Sequence, residues 1–234
     1  MTINGWSITE LTLMVGGVVG LYLASCFLSR EKDATRLATV WRAYAERAGD
    51  RVSVPGRYSF LLPQTTQVHA KLEGTRHGVA FTAEITEWDP EEPGEKDTTF
   101  TSSPSWLPDN SGISITRGEP GGSWPFKTPE PTLRRHRLNV YASPPELASA
   151  FDTADGQKLL ADFAKLPATC EAKGWRKNSH AKYHGAASIM FITLDEWCDD
   201  PDQLDAIIDV LTRLCTLNVN AAMGATHSAA RRSS

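Results

Sequence analysis

A chain of 234 residues with 41% hydrophobic and 22% charged side chains has the composition of a globular protein and is too short to hold two large domains. Its net charge of −4 at pH 7 lacks the basic footprint that phosphate binding requires, which excludes nucleic acid as the main partner. Cys26 lies in an apolar stretch and the other cysteines are scattered without C-x-x-C spacing, which favours a reducing compartment over a disulfide framework.

The first predicted element is an apolar segment from Ile8 to Leu28, whose one charged residue is Glu10. A helix over these residues would be roughly 31 Å long at ~1.5 Å per residue, about the thickness of a bilayer's hydrocarbon core. No lysine or arginine precedes the segment, whereas basic residues follow it from Arg30 onwards, the reverse of the charge order in a secretion signal. We therefore predict a transmembrane anchor over residues 1–29, with the N-terminus outside and the main domain in the cytoplasm.

The letters "LASC", which end at Cys26, leave a second interpretation of this segment open. They have the form of a lipoprotein cleavage box, in which Cys26 would carry the lipid and the domain would lie in the cell envelope. Phe27 and Leu28 continue the apolar run beyond Cys26, whereas a lipidated cysteine would open a polar tether. The uncleaved anchor is therefore preferred over a lipoprotein or a cleaved signal.

Small residues recur every four positions within the same segment, at Gly16, Gly20 and Ala24. On a helix this spacing places them on one face and lets two backbones approach closely. These three residues are a candidate seam for a homodimer in the membrane. The alternative, which is favoured, is that the spacing arises by chance, because small residues are frequent in membrane helices.

A second helix is predicted over residues 30–49, because apolar side chains including Trp41 recur there at helical spacing. Its basic residues Arg30, Lys32 and Arg36 could contact lipid headgroups, with Trp41 dipping inward. The alternative is that Trp41 and its apolar neighbours pack on the domain that follows. This alternative is favoured because most amphipathic helices in globular proteins serve a core.

Residues 50–225 have the pattern of one α+β domain. Alternating apolar residues predict strands, among them "VHAKL" and "VAFTAEI", which the turn "EGTRHG" joins into a hairpin. "SPPELASAF" predicts a helix in which Ser143 as N-cap and Glu146 form a capping box, and "DGQKLLADFAKLP" predicts a second helix. A further helix begins with Asp200 as N-cap and Pro201 at its first position. We predict an antiparallel sheet with helices on one face, followed by a disordered tail over residues 226–234.

Two loop features are candidates for partner binding. The loop over residues 118–131 is rich in Gly and Pro and contains Trp124 and Phe126, a composition that suits protein recognition. The alternative is that these aromatic side chains cover the sheet. The basic run "RRHR" at residues 134–137 could contact lipid phosphate, although such a run is more often a solvated sheet edge that discourages aggregation.

Candidate catalytic residues are few. His180 and His184 have the spacing of a zinc pair on a helix, but no acid lies between them. Acids crowd around Cys198 in "DEWCDDPD", where the start of a helix accounts for them equally well. No nucleotide-binding or serine-hydrolase motif is present, and we predict no cofactor and no bound metal.

The sequence therefore predicts a single-pass membrane protein whose cytoplasmic domain is a non-catalytic protein-interaction module. Its expected partners are the lipid bilayer, a second copy through the membrane helix, and an unidentified protein. A membrane-tethered metal-dependent hydrolase that uses His180, His184 and the acids near Cys198 is the alternative activity. An envelope lipoprotein lipidated at Cys26 is the alternative location.

Overall fold

The computed structural model of the chain describes residues 2–3, 6–53, 67–87, 96–103, 107–118, 130–176 and 188–217. The helical elements are α1 (Ile8–Ala48), a 3₁₀ helix (Pro145–Asp152), α2 (Ala154–Phe163) and α3 (Pro201–Thr216). The strands are β1 (Thr2–Ile3), β2 (Trp6–Ser7), β3 (Arg51–Ser53), β4 (Gln67–Arg76), β5 (Val79–Glu87), β6 (Lys96–Ser102), β7 (Ser111–Thr116), β8 (Leu133–Arg135), β9 (Leu138–Ser143), β10 (Glu171–Arg176) and β11 (Ser188–Leu194).

In the described part of the chain, nine strands form one sheet in the order β3-β4-β5-β6-β11-β10-β7-β9-β8, and each pairing in it is antiparallel. The strands β3 to β6 follow one another as a meander, whereas β10 and β11 come late in the chain and fill the middle of the sheet. The pairing of Phe100 with Ile192 joins the early meander to this late pair. β1 and β2 form a separate two-stranded ribbon.

The hairpin predicted from the alternation of apolar residues is confirmed. Ala70 and Leu72 of β4 and Phe81, Ala83 and Ile85 of β5 are buried, while the residues between them are more exposed. Arg76 pairs with Val79, so His77 and Gly78 form a two-residue turn, and both have positive φ. That combination is the one that matches the twist of the strands it joins.

The predicted membrane anchor is wrong. α1 is one helix of 41 residues that runs from Ile8 to Ala48, and no helix in the described part of the chain combines the length and the apolar character needed to cross a bilayer. The prediction rested on the absence of charged residues between Glu10 and Arg30, and such an absence alone does not establish a membrane-spanning helix.

The predicted fold class and location are corrected accordingly. The described residues form an antiparallel sheet with helices and contain no membrane-spanning helix. The prediction of a single-pass membrane protein, with its N-terminus outside and its main domain in the cytoplasm, is therefore wrong. It depended on the same stretch of α1.

The C-terminal helix starts as the sequence predicted. Asp200 is the N-cap of α3, and its carboxylate accepts a hydrogen bond of 2.9 Å from the backbone N–H of Asp202. Pro201 occupies the first turn, where its missing N–H costs nothing. Ser143 does not cap the 3₁₀ helix, because it is the last residue of β9.

One hydrophobic core joins the second half of α1, the 3₁₀ helix, α2, α3 and the sheet. Its largest fully buried side chains are aromatic: Trp41, Tyr44, Phe100, Tyr141, Phe151 and Phe163. Two of them come from α1, so the second half of that helix is part of the domain.

Candidate functional site

The first half of α1 exposes a concentration of large apolar side chains. We call residues 12–25 of α1 the apolar arm. Seven of its side chains have between 50% and 75% of their surface exposed: Leu13, Met14, Val15, Val18, Val19, Leu21 and Tyr22. Single exposed apolar residues are ordinary on protein surfaces, but a contiguous patch of this kind marks a binding site.

The predicted seam lies on this arm. Gly16, Gly20 and Ala24 are exposed, and a Cβ atom built on either glycine would meet nothing within 4 Å. At ~100° per residue, the three positions fall within about 80° of one another around the helix. Leu21 projects from a different side. The arm therefore has one face of small residues beside a face of large ones, and the pairing of two such arms stays a prediction.

The second half of α1 is attached to the domain through Trp41. This side chain is fully buried, and its indole Nε1 donates a hydrogen bond of 2.8 Å to the backbone carbonyl of Cys198. Trp41 therefore packs on the domain, as in the alternative to lipid contact. Arg36, one of the predicted lipid contacts, forms an ion pair with Asp199, so the preceding turn of α1 is also joined to the loop before α3.

A cluster of three polar side chains fixes the end of α1, and we call Tyr44, Arg76 and Asp205 the clamp. The hydroxyl of Tyr44 donates to Asp205 Oδ1 at 2.9 Å, and Arg76 Nη1 donates to the same oxygen at 2.9 Å. Arg76 Nη2 also donates to the Tyr44 hydroxyl at 3.0 Å. These bonds connect α1, the end of β4 and the exposed side of α3.

The electrostatics of the clamp keep its ion pair charged at neutral pH. Burial and the hydrogen bond to Asp205 raise the pKa of Tyr44 to about 12. Burial acts to raise the pKa of Asp205, but the hydrogen bonds from Arg76 and Tyr44 prevail and lower it. The clamp therefore holds a carboxylate between a phenol and a guanidinium.

Asp50 joins the end of α1 to β4 beside the clamp. Its backbone N–H donates to the carbonyl of Ala45 at 2.9 Å, and its carboxylate accepts a hydrogen bond from the backbone N–H of Thr75. The second oxygen, Oδ2, is buried and has no hydrogen-bond partner among the described residues. Burial raises the pKa of Asp50, although Arg76 opposes the shift. A Cβ atom on Gly74 would overlap Asp50 Oδ1 and lie 2.7 Å from Phe81 Cζ, so a larger residue there would require these side chains to move.

Two of the acids near Cys198 have structural roles, and Cys170 and Cys198 are buried. Asp199 pairs with Arg36, and Asp200 caps α3. Burial raises the pKa of the Cys170 and Cys198 thiols to about 12, so both are protonated and unreactive at neutral pH. No group of three or more potential metal ligands occurs in the described part of the chain.

Several predicted site residues cannot be placed. His180 and His184, and the aromatic pair Trp124 and Phe126, lie outside the described residues. The same holds for the side chains of three positions in α1: Cys26, Arg30 and Lys32. The structure therefore leaves the metal, loop and lipid predictions for these residues untested.

The clamp was missed at the sequence level. Its members are far apart in the chain: Arg76 and Asp205 are separated by 129 positions. One local signal was available, because Asp205, Asp209 and Arg213 recur every four residues along the polar side of α3. Such spacing indicates one charged helix face, but it does not identify the residues that meet it.

No protein-family model matches the chain, and no curated protein matches it. Among solved structures, the chain is similar to the crystal structure of the mycobacterial trehalose monomycolate transport factor A, with 12% sequence identity and a TM-score of 0.49 over 78% of this chain and 95% of that chain. At this level the similarity assigns neither a family nor a function.

Proposed function

We propose that this chain is a non-catalytic protein-interaction module that binds an apolar helix through its apolar arm, and that a second copy of the chain is one such partner. The observation that carries the proposal is the exposure of seven large apolar side chains between 50% and 75% over one stretch of helix. Burying a side chain of this kind contributes about 1.5–3 kcal/mol. A partner that covered several of them would offset the entropy lost on association.

The attachment of α1 to the domain supports this function. The arm is continuous with a helical half that Trp41 and the clamp bind to the sheet and α3. A surface that is already helical and anchored loses little further conformational freedom on binding. The apolar arm is therefore organised before a partner arrives.

The small residues of the arm support a helical partner. Two helices that meet at Gly16, Gly20 and Ala24 can bring their backbones close, which maximises the contacts between the larger side chains that flank the seam. In a symmetric dimer, each helix would contribute the same face to the interface. This is the reason that we place a second copy first among the partners.

The chemistry of the described residues supports a role in binding rather than in catalysis. The thiols of Cys170 and Cys198 are buried and protonated, and the acids beside Cys198 pair with Arg36 or cap α3. No observation in the described residues favours the metal-dependent hydrolase, and we do not propose it.

Disulfide crosslinking of the full chain tests the pairing of two arms. In a Cys26→Ser background, we compare Gly20→Cys, which lies in the seam, with Leu21→Cys, which lies one residue outside it. Two thiols crosslink only when their Cα atoms come within about 7 Å. We expect a crosslinked dimer from Gly20→Cys under mild oxidation and little from Leu21→Cys, together with a dimer mass in sedimentation equilibrium.

Bulk added to the seam gives the matching loss-of-function test. Replacing Gly16 and Gly20 by isoleucine should return the chain to a monomer, because the two backbones could no longer approach. The control replaces Val18 and Val19 by isoleucine, which adds apolar volume outside the seam and should leave the dimer intact. A wild-type chain that sediments as a monomer at tens of micromolar, or equal crosslinking at both cysteine positions, would contradict the proposed pairing.

A further inference from the structure

The hairpin between β8 and β9 carries exposed basic side chains at one edge of the sheet. We call residues 134–137 the basic tip. Arg134, His136 and Arg137 are exposed, and none of them forms an ion pair with an acid among the described residues. Arg135 differs, because it donates to the carbonyl of Phe151 and lies 3.6 Å from an Asp152 oxygen.

The backbone of the basic tip is unfavourable for its residues. Arg135 pairs with Leu138, so His136 and Arg137 form a two-residue turn with φ of 53° and 62°. Residues with a Cβ atom pay a steric cost in this left-handed region, which is why glycine is preferred there. The fold accepts that cost at Arg137 although the guanidinium has no ion-pair partner in the described residues.

The basic tip lies where an extended chain could bind. β8 is the last strand in the order of the sheet, so among the described strands none pairs with its outer edge. The backbone N–H and C=O groups along such an edge can hydrogen-bond to an added strand. Side chains of that strand would then come close to Arg134 and to the turn.

We propose that β8 and the basic tip bind an extended, carboxylate-rich segment of a partner protein. The backbone of the segment would pair with β8, and its carboxylates would accept charge-assisted hydrogen bonds from Arg134 and Arg137. Arginine suits this role because its planar group can bind a carboxylate through two parallel hydrogen bonds. The site is separate from the apolar arm and does not depend on pairing of the arms.

A peptide ligand fits the charge of the molecule better than an extended anionic surface. The chain has 24 basic and 28 acidic side chains, so an anionic membrane or a nucleic acid would meet more acids than cations over an extended surface. A short acidic segment meets the local cations alone. The edge strand also has backbone groups that a lipid headgroup could not pair with.

Fluorescence anisotropy of a labelled peptide tests this proposal on the full chain. The probe is a peptide of about six residues, the usual length of a strand, in which Glu and Thr alternate. A Gln-Thr peptide of the same length is the uncharged control. The binding variant combines Arg134→Gln with Arg137→Gly, and the control variant combines Arg42→Gln with Lys158→Gln, which removes two exposed cations from α1 and α2.

We expect the wild type to bind the Glu-Thr peptide and not the Gln-Thr peptide. The binding variant should lose at least about tenfold in affinity, because a charge-assisted hydrogen bond contributes more than a factor of ten when it forms in full. The control variant should change by less than about twofold, as expected for unspecific surface charge. Gly16→Ile with Gly20→Ile should leave peptide binding unchanged, which separates this site from the arm.

Four results would overturn the proposal. One is an equal loss of affinity in the two variants, which would reduce the effect to net charge. Another is a binding variant that aggregates but keeps the wild-type affinity for the peptide. The basic side chains would then serve only to prevent association of sheet edges. The third is that the wild-type chain binds phosphatidylglycerol vesicles but does not bind the peptide. The last is a wild type that binds neither. If the binding variant does not fold, Arg137→Asn is used in it in place of Arg137→Gly, because asparagine tolerates the left-handed turn.

Discussion

Two hairpin tips of the sheet share one turn geometry and differ in what surrounds them. In the β4–β5 hairpin, residues 77–78 form a two-residue turn with positive φ at both positions, and residues 136–137 do the same in the β8–β9 hairpin. An arginine precedes each turn and bonds to a neighbouring helical element. Arg76 donates to Asp205 of α3, and Arg135 donates to the carbonyl of Phe151 in the 3₁₀ helix.

The difference lies in the turn residues themselves. His77 lies 2.7 Å from an oxygen of Asp209 on α3, and it is followed by Gly78, which suits its positive φ. His136 and Arg137 are exposed. The same local geometry therefore serves a contact inside the domain in one hairpin and presents charge to the surroundings in the other. What lies against a turn, more than the turn itself, decides the role of its side chains.

The largest expected difference between the tips is in stability. Arg76→Ala removes two hydrogen bonds of the clamp and leaves Tyr44 and Asp205 without their cation, so we expect a loss of about 2 kcal/mol in the free energy of unfolding. Arg134→Ala at the basic tip should change it by less than about 0.5 kcal/mol, because the side chain is exposed. Urea unfolding with an unchanged m-value measures both. Equal losses in the two variants would remove the distinction.

One substitution in each turn should give smaller effects on stability, and the two effects should have opposite signs. Gly78→Arg places a Cβ atom at φ of +75° and should cost about 1 kcal/mol. Arg137→Gly removes that strain at φ of 62° and should gain about 0.5 kcal/mol, since the greater freedom of glycine in the unfolded chain offsets part of the relief. Thermal unfolding of the two single variants checks both signs. A loss of stability in Arg137→Gly would mean that the Arg137 side chain supports the fold.

The sequence predicted the elements whose signals are local. The alternation in β4 and β5 and the Asp200-Pro201 start of α3 each involve neighbours in the chain, and both are confirmed. A capping box at Ser143 was predicted by the same kind of reasoning and is wrong, because the sheet extends β9 through that residue. Local capping patterns describe a helix start only where no strand competes for the same backbone.

Contacts between distant residues could not be predicted in this way. The insertion of β10 and β11 between β6 and β7 is set by which strands bury each other, and a sequence pattern gives no partner. Arg117 is a similar case: its guanidinium donates to four carbonyls at the end of α2 and beyond, at distances of 2.6 to 3.4 Å. Nothing around Arg117 in the sequence distinguishes it from a solvated arginine.

The smallest effect concerns the pH dependence contributed by Asp50, beside the β4–β5 tip. Its folded pKa is raised above the ordinary value of 3.8, chiefly by burial. A raised folded pKa contributes stability that is fully present below 3.8 and is lost as the pH rises through the folded value. Asp50→Asn keeps an oxygen for the Thr75 N–H but cannot ionise. Relative to wild type, the variant should therefore gain stability as the pH rises from 3.8 towards neutrality.

Asp162→Asn gives a matched control of opposite sign. The hydrogen bonds from Lys165 and Arg213 lower the pKa of Asp162, so its contribution is present above 3.8 and disappears as the pH falls through the lower, folded value. As the pH rises through that acidic range, the Asn variant should lose stability relative to wild type. At higher pH the difference between the two should stay constant. Urea midpoints across the two ranges compare the variants. A flat difference for Asp50→Asn would show that the carboxylate is as well solvated in the folded chain as in the unfolded one, and the junction between α1 and β4 would then be more open than the buried Asp50 oxygen indicates.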